Sequence, residues 1–208
     1  MGALPQLALR EQQHVLPKMH LWTVDEYMQM AKAGIFDNLR VELIEGDIFE
    51  MCSQDYSHFY SHDKTTQVLR EAFGKGYWVR NQAQLNLRPN SAPEPDVSIV
   101  KGSRDDYDDH PTTAVLVVEV SNTTLIYDLY RKAAIYAAAG IEDYWVINLP
   151  DWRIDVLRKP CKEFDGSFKY SSIQPFHIGE FISPLARPEI NIAVADLMPP
   201  EKLIRKES

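Results

Sequence analysis

Residues 114–149 have the sequence AVLVVEVSNTTLIYDLYRKAAIYAAAGIEDYWVINL, and this stretch decides the fold. Two near-continuous apolar runs, at residues 115–120 and 144–149, enclose a helical pattern that ends at Gly140. Apolar runs without polar alternation are typical of strands that are buried on both faces of a sheet. The stretch therefore predicts a strand, a helix and a second buried strand. Glu119 interrupts the first run, and a buried carboxylate is costly unless it is paired or binds a cation.

The whole chain has the composition of an ordinary globular protein. Its 208 residues are 45% hydrophobic and 25% charged, which suits one domain with a sizeable core. We expect a flexible arm at residues 1–20, a single domain at 21–198 and a C-terminal tail at 199–208. The formal net charge of −8 counts against a tight non-specific nucleic-acid binder, because phosphate backbones attract basic proteins.

No pattern in the sequence indicates export or membrane insertion. The N-terminus lacks a basic start followed by an apolar core, and no apolar run approaches the roughly 20 residues of a membrane span. Cys52 and Cys161 lie far apart without metal-ligand spacing, which favours free buried thiols in a reducing compartment. We therefore expect a cytoplasmic protein without a membrane partner.

The remaining patterns predict an α/β or α+β chain with a mixed central sheet flanked by helices. Thr23 and Glu26 form a capping box that starts a short helix, and Glu45-Gly46 marks the turn of a hairpin. Residues 57–73 predict a helix that ends at Gly74. Strands are expected at residues 77–87, 96–100, 152–158, 168–173 and 190–194.

Three residues near the ends of the predicted elements carry the candidate chemistry. Asp96 begins a strand, Glu119 lies late in the next strand, and Lys132 lies on the helix that follows. Two carboxylates at neighbouring strand ends form a hard oxygen site that suits Mg²⁺ or Mn²⁺, and the backbone carbonyl of Val120 is a natural further ligand. A nearby ammonium can orient or deprotonate a water and stabilise the charge that develops on a phosphate.

Each of these residues also has a plain structural interpretation. Asp96 can cap a turn, and Glu119 can be a strand-edge residue paired to an arginine or lysine. Asp128, Lys132 and Tyr136 recur every four residues and therefore share one helix face. On that face, Asp128 and Lys132 form either an ordinary surface ion pair or a pair that holds the lysine toward the site.

Pro95-Asp96 followed by Glu119-Val120-Ser121 resembles the signature of the PD-(D/E)XK nucleases. Over residues 20–198 the chain also resembles the Uma-two family of restriction-endonuclease-like proteins. The segments that carry this resemblance are VELIEGDI (41–48), the start of the Ser57-His58 helix, PEPDVSIV (93–100), VVEVSNTT (117–124), the pair Asp128 and Lys132, YAAAGIEDYWVIN (136–148) and ISPLARPEI (182–190). The last four in combination are specific to this family.

The resemblance implies a restriction-endonuclease-like core of helix, three-stranded meander, helix and strand, with an extra N-terminal hairpin and C-terminal strands. It also implies that Asp96 and Glu119 bind a divalent metal. In the superfamily's usual motif a lysine follows the glutamate by two residues, and Ser121 occupies that position here. The resemblance suggests that Lys132, on the following helix, replaces the missing lysine.

Glu42 and His58 match family positions and are expected to line the same site, together with Ser121, Asp128 and Tyr136. His58 is otherwise a residue at a helix N-terminus without chemistry. The serine at position 121 leaves open which residue activates water, but it does not affect the predicted metal ligands.

The resemblance implies a Mg²⁺- or Mn²⁺-dependent endonuclease that hydrolyses phosphodiester bonds of nucleic acid, with DNA favoured over RNA. A homodimer is expected, because cleavage of a duplex needs two sites or two visits. An alternative is a nuclease-fold protein that has lost activity and serves in binding or assembly, which the acidic charge and the displaced lysine favour. A zinc hydrolase built on His58 and His62 is a weaker alternative, since Phe59 interrupts the HExxH pattern.

Overall fold

A computed structural model describes residues 18–51 and 53–204 of the chain. Within this part, the helices are α1 (Val24–Lys32), α2 (Tyr56–Phe73), a π-helix (Tyr127–Lys132) that continues into α3 (Ala133–Ala138), and α4 (Glu201–Ile204). The strands are β1 (Val41–Ile44), β2 (Asp47–Glu50), β3 (Tyr77–Asn81), β4 (Val97–Lys101), β5 (Leu116–Ser121), β6 (Asp143–Asn148), β7 (Arg153–Lys162), β8 (Phe168–His177), β9 (Phe181–Ile182) and β10 (Ile192–Ala193).

Six of the strands in the described residues form a mixed central sheet in the order β3-β4-β5-β6-β7-β8. β3, β4 and β5 are antiparallel neighbours, β6 runs parallel to β5, and β7 and β8 continue antiparallel. The parallel pair needs a crossover connection, which the π-helix and α3 provide. This arrangement confirms the predicted α+β fold, and it contains the expected succession of helix, meander, helix and strand.

The sheet separates two hydrophobic cores. On one face, Leu69 of α2 packs in a cluster with Val118 of β5 and with the C-terminal segment of the domain. On the other face, Tyr136 of α3 packs in a cluster with Val117 of β5. Because side chains alternate along a strand, Glu119 lies on the same face as Val117, beneath α3.

The strand predicted over residues 77–87 is wrong in its second half, because β3 ends after five residues. Gln82 adopts a φ of +44°, which turns the chain out of the sheet. Leu85 and Leu87 are nevertheless buried, and both belong to the second hydrophobic core. The alternation of apolar and polar residues here therefore reflects the burial of an irregular segment. From the sequence, this alternation looks the same as that of a paired strand.

The other predicted elements are present with altered ends. The strands expected at residues 152–158 and 168–173 extend further, as β7 and β8 of ten residues each. The capping box of Thr23 and Glu26 is present at the start of α1, with both of its reciprocal bonds. The hairpin expected around Glu45-Gly46 is formed by β1 and β2, and both turn residues have positive φ angles.

Two further expectations concern thiols and membranes. Cys161 carries a free thiol but is only half-buried, so the prediction of a buried thiol is wrong at this position because the residue lies near the end of a surface hairpin. Cys52 lies outside the described residues. Among the helices of residues 18–51 and 53–204, none is long and apolar enough to cross a membrane.

Candidate active site

A cavity of about 280 Å³ lies where the β1–β2 hairpin, the start of α2, the meeting ends of β4 and β5, and the π-helix come together. Acidic side chains dominate its lining, and they are Glu42, Glu50, Asp55, Glu94, Asp96, Glu119 and Asp128. The basic residues of the lining are Lys132 and His58. The cavity therefore carries a strong excess of negative charge, which attracts cations and repels phosphate groups.

Asp96 lies immediately before β4 and is buried. Its Oδ2 accepts a hydrogen bond from the Val120 N–H at 2.8 Å and lies 3.3 Å from His58 Nε2. Its Oδ1 accepts a longer bond, of 3.3 Å, from the side-chain amide of Gln54. Burial raises the pKa of this carboxyl, but the interactions with His58 and Val120 outweigh burial and the net shift is downward. Asp96 is therefore ionised at neutral pH.

Glu119 lies on a central strand and is 3% exposed. Its Oε1 accepts hydrogen bonds from the Tyr136 hydroxyl at 2.7 Å and from Lys132 Nζ at 3.1 Å. Its Oε2 accepts a bond of 3.3 Å from the Asp96 N–H. Burial raises the pKa of Glu119 to about 8, against the opposing charge of Lys132, and Asp128 and Asp96 add to the rise. This carboxylate is poorly compensated and gains from an added cation.

The Lys132 ammonium is surrounded by three carboxylates. Its Nζ lies 3.1 Å from Glu119, 3.3 Å from Glu42 and 4.0 Å from Asp128. Burial lowers the pKa of Lys132, but the carboxylates outweigh burial and hold this pKa well above its ordinary value. Lys132 is therefore a hydrogen-bond donor and a positive charge at neutral pH, which favours positioning or charge stabilisation over proton abstraction.

Asp128 is fixed by two hydroxyl groups, one from the last residue of β5 and one from the segment that follows it. The Ser121 hydroxyl donates to its Oδ2 at 2.6 Å, and the Thr124 hydroxyl donates to the same oxygen at 2.7 Å. The other oxygen of this carboxylate faces Lys132. Ser121, at the position where the usual motif has a lysine, thus holds a carboxylate that faces the lysine of the following helix.

The segment that carries Asp128 and Lys132 is wound as a π-helix, Tyr127–Lys132. Such wider turns are rare and occur frequently at functional sites. Asp128 is 3% exposed and Lys132 is 5% exposed, and both side chains contribute to the cavity lining. The alternative of an ordinary surface ion pair at these positions is therefore wrong.

The β1–β2 hairpin closes one side of the cavity through Glu42, which is also buried. In addition to its contact with Lys132, Glu42 Oε2 accepts a bond of 3.4 Å from the Glu94 N–H. Its Oε1 accepts a bond of 3.5 Å from the Tyr127 hydroxyl. The extra N-terminal hairpin is thus an integral wall of the site.

His58 is positioned by the N-terminus of α2. Asp55 is the N-cap residue, and its Oδ1 accepts from the His58 N–H at 2.8 Å while its Oδ2 accepts from the Asn122 amide at 2.6 Å. Burial lowers the pKa of His58, but the contacts with Asp96 and Asp55 outweigh burial and the net shift is upward. His58 therefore interacts directly with a candidate metal ligand and is more than a helix N-terminal residue.

Comparisons with known proteins agree with this architecture. The sequence profile of a family described as "Putative restriction endonuclease" matches residues 24–195. The chain belongs to this family, Uma2. A crystal structure described as "a putative nuclease belonging to DUF820", from Anabaena variabilis ATCC 29413, has a TM-score of 0.65 and 14% identity, covering 85% of this chain and 97% of that chain. At this identity the likeness shows a shared fold. No curated protein matches the chain.

In this Uma2 protein the predicted site residues come together. Those that line the cavity are Glu42, His58, Asp96, Glu119, Val120, Asp128 and Lys132. Ser121 and Tyr136 lie behind the lining, where their hydroxyls bond to Asp128 and Glu119 respectively. Of these residues, Asp96, Glu119 and Lys132 were predicted from the sequence patterns, whereas Glu42 and His58 were expected from the family resemblance.

Some residues of the Uma2 site were not indicated by the sequence. Gln54, Glu94 and Tyr127 also line the cavity, and they lie on segments whose place in the fold is set by tertiary contacts. Asp55 has a recognisable signal, because an aspartate just before a helix is a preferred N-cap. Without the fold, that signal does not distinguish a helix cap from a site residue.

A divalent cation fits the residues present. The predicted ligands are the carboxylates of Asp96 and Glu119 and the carbonyl of Val120, all of them hard oxygen donors of the kind that Mg²⁺ and Mn²⁺ prefer. Asp96 Oδ1 has a single long bond, from Gln54. Within the described residues, no three His, Cys, Asp or Glu side chains are already gathered into a metal-binding group.

Proposed function

We propose that this protein is a metal-dependent endonuclease that hydrolyses phosphodiester bonds of nucleic acid, DNA rather than RNA. The observation that carries the proposal is the convergence of Asp96, Glu119 and Lys132 in one acidic cavity, from two adjacent strands and the crossover helix. The family description and the nuclease-fold neighbour support the same reaction class.

The proposed metal is Mg²⁺ or Mn²⁺, held by Asp96, Glu119 and the Val120 carbonyl. When bound, such an ion polarises the scissile phosphate and lowers the pKa of a coordinated water. The charge of the cavity supports a cation requirement, because its many carboxylates repel a phosphodiester. The net charge of the chain, −8, gives no compensating general attraction for nucleic acid.

Lys132 is proposed to stabilise negative charge on the phosphate rather than to accept a proton, because its pKa is held well above its ordinary value. Donation to a phosphate oxygen requires one of its carboxylate partners to give up its contact. Asp128, at 4.0 Å, holds the ammonium least closely. Tyr136 and Ser121 are proposed to fix Glu119 and Asp128 in place through their hydroxyl bonds.

Three further properties belong to the same proposal. The protein acts in the cytoplasm, as a homodimer when it cleaves both strands of a duplex. Residues 21–198 are proposed to form one catalytic domain with a tail at 199–208, and the arm expected at 1–20 lies mostly outside the described residues.

Nicking of supercoiled plasmid with Mg²⁺ or Mn²⁺ tests the proposed activity. Wild type, Asp96→Ala and Lys132→Ala are purified identically and compared. We expect wild type to nick the plasmid only with a divalent ion and both variants to lose this activity. Retention of full activity by Asp96→Ala contradicts the assigned metal ligand, and nicking without metal contradicts the proposed mechanism.

A second candidate function is a binding or assembly module that retains the fold without catalysis. The observation that favours it is that both oxygens of the Glu119 carboxylate already accept hydrogen bonds, from Lys132, Tyr136 and the Asp96 N–H. Calorimetric titration with Mn²⁺ discriminates between the two functions. An active site binds Mn²⁺ and loses this affinity in Glu119→Gln, whereas a degenerate site shows no affinity that depends on Glu119.

A further inference from the structure

A second cavity, of about 850 Å³, lies on the other side of α2 from the acidic cavity. Its walls come from the exposed face of α2, the β6–β7 turn, the end of β8 and the segment that leads into α4. The side chains with recognisable binding chemistry are Tyr60, Lys64, Trp152 and His177. Two aromatic rings and two potential cationic donors thus surround a space much larger than the candidate active site.

Trp152 is held in this cavity at a conformational cost. Its φ angle is +54°, in the left-handed region that bulky residues rarely adopt. Unfavourable backbone conformations persist where the surroundings enforce them, and they cluster at active sites and ligand clamps. A glycine or asparagine at position 152 suits this turn better on conformational grounds, so the fold itself does not require tryptophan there.

The β6–β7 turn is tied to the strand end that carries the candidate active site. Asn148, the last residue of β6, is in register with Ser121 of β5. The Leu149 N–H donates to the Ser121 carbonyl at 3.0 Å. Trp152 therefore lies in the turn directly after β6, next to the carboxyl end of β5 where Glu119 and Ser121 are located.

Exposed aromatic rings on α2 lie between the two cavities. Tyr56 and Phe59 are 62% and 52% exposed, and their ring centroids are 6.3 Å apart. Tyr60, which lines the second cavity, has its ring centroid 6.5 Å from that of Tyr56. Because Asp55 and His58 of the same helix turn line the acidic cavity, these rings lie on the part of α2 that borders both cavities.

The two cavities differ in charge. The acidic cavity has seven carboxylate residues in its lining against Lys132 and His58. The second has Asp151 and Glu201 against Lys64 and His177, and Asp151 is already paired with Arg153 at 3.1 Å. A phosphate backbone is therefore far less repelled by the second cavity than by the first.

We propose that the second cavity binds unpaired nucleotides of the nucleic-acid strand whose phosphodiester bond enters the acidic cavity. Bases stack on Trp152 and Tyr60, and Lys64 and His177 donate to the phosphates. Aromatic platforms next to cationic donors are the usual means of holding single strands without sequence preference. This inference rests on the proposed endonuclease function and adds a substrate class to it, namely single-stranded or locally unpaired nucleic acid.

The test measures binding of a fluorescein-labelled 12-nucleotide oligo-dT by fluorescence anisotropy, with Ca²⁺ in place of Mg²⁺ in order to slow cleavage. We expect Trp152→Gly to weaken this binding by about tenfold, since stacking of one base contributes an effect of that order. Trp152→Phe, which keeps an aromatic face, is expected to retain affinity within about threefold of wild type. Equal affinity of wild type and Trp152→Gly overturns the proposal.

Three controls exclude trivial explanations of a loss of oligonucleotide binding. Phe164→Gly removes a fully exposed aromatic side chain at the far turn of the β7–β8 hairpin and is expected to bind the oligonucleotide as wild type does. Thermal unfolding of Trp152→Gly is expected to remain cooperative, because glycine relieves the positive φ. A blunt 12-base-pair duplex is expected to bind Trp152→Gly and wild type equally, and an equal loss with the duplex overturns the assignment to unpaired strands.

The outcome is separable from that of the proposed function. Asp96→Ala is expected to lose nicking but to retain oligonucleotide binding, which keeps the second cavity testable even if wild type cleaves nothing. If wild type nicks plasmid but Trp152→Gly binds and cleaves an unpaired strand as wild type does, only the inference about the second cavity fails.

Discussion

The Lys132 Nζ lies 3.1 Å from Glu119 Oε1, although the lysine belongs to the helical crossover and the glutamate to β5. This contact follows from the connection between the parallel strands. A crossover that leaves the end of β5 must pass back over the same sheet face before β6 can begin. A residue in the first turns of the crossover is thereby placed above Glu119, and an ammonium can arrive there without lying on the strand itself.

Loss of the Lys132 charge is expected to destabilise the fold. Lys132→Met leaves Glu42, Glu119 and Asp128 buried without their common cation. Removal of one partner from a buried ion pair costs about 3–5 kcal/mol, and chemical denaturation at pH 7.5 measures the loss. The matched control is Lys169→Met, which breaks the exposed pair with Glu163 and is expected to cost far less, because solvent screens that pair. Similar losses in the two variants contradict the buried network.

Tyr136 is expected to affect metal binding through Glu119. Its hydroxyl donates to Glu119 Oε1 at 2.7 Å, and this bond lowers the pKa of a carboxyl that burial raises. Tyr136→Phe is expected to cost about 1–3 kcal/mol of stability and to weaken Mn²⁺ binding at pH 7, since more Glu119 is then protonated.

The control for Tyr136 is Tyr170→Phe. Tyr170 is also buried, and its hydroxyl donates to the Ile141 carbonyl at 2.8 Å, outside the candidate site. We expect a comparable loss of stability without any change in Mn²⁺ affinity. If both variants bind Mn²⁺ as wild type does, the Tyr136 bond has no role in the metal site.

The sequence alone predicted a mixed sheet with a helix between two buried strands, because buried apolar runs and the helical pattern between them are local. It also placed Asp96, Glu119 and Lys132 near the ends of neighbouring elements, which the structure brings to one cavity. It did not predict the π-helix, since six residues are too few for the apolar spacing to distinguish a wider turn from an α-helical one. The false strand beyond residue 81 has a related cause. Leu85 and Leu87 alternate as strand residues do, while their burial comes from a loop that packs against the sheet.

The supporting contacts of the site were less accessible to prediction. Glu42 reaches Lys132 across 90 residues of chain, and Tyr127 reaches Glu42 across 85. Such contacts depend on how the hairpin docks on the crossover helix, which no local pattern specifies. The resemblance supplied Glu42 as a site residue, whereas Tyr127 emerged only from the structure.

Mn²⁺ affinity is expected to rise with pH. Glu119 must be ionised to bind a cation, and burial raises its pKa to about 8. Below that pH, affinity is expected to fall by about tenfold per pH unit, because a proton is released on binding. Calorimetric titrations at pH 6.5, 7.5 and 8.5 measure this dependence. Protonated His58 also competes with the metal for the Asp96 carboxylate. The His58→Gln variant removes this competitor and is expected to show a weaker pH dependence of Mn²⁺ affinity near pH 6.5. An Mn²⁺ affinity of wild type that does not change with pH contradicts the assignment of Glu119 as a ligand.

Ionisation of Glu119 is also expected to affect the stability of the metal-free protein, which should fall as the pH rises. The folded state holds the Glu119 proton up to about pH 8, whereas the ordinary value for the unfolded chain is 4.5. The resulting stabilisation is complete below pH 4.5 and is lost as the pH rises toward 8, by a few kcal/mol in total. Glu119→Gln cannot lose this proton, so its free energy of unfolding is expected to decline less than that of wild type between pH 5 and 8. Urea denaturation of both proteins in EDTA measures the free energy of unfolding at each pH. The changes with pH are compared, because a constant effect of the amide on stability then cancels. If the free energies of unfolding of the two proteins change with pH in parallel across that range, Glu119 ionises with its ordinary pKa. Glu119 would then have no poorly compensated charge to favour a bound cation.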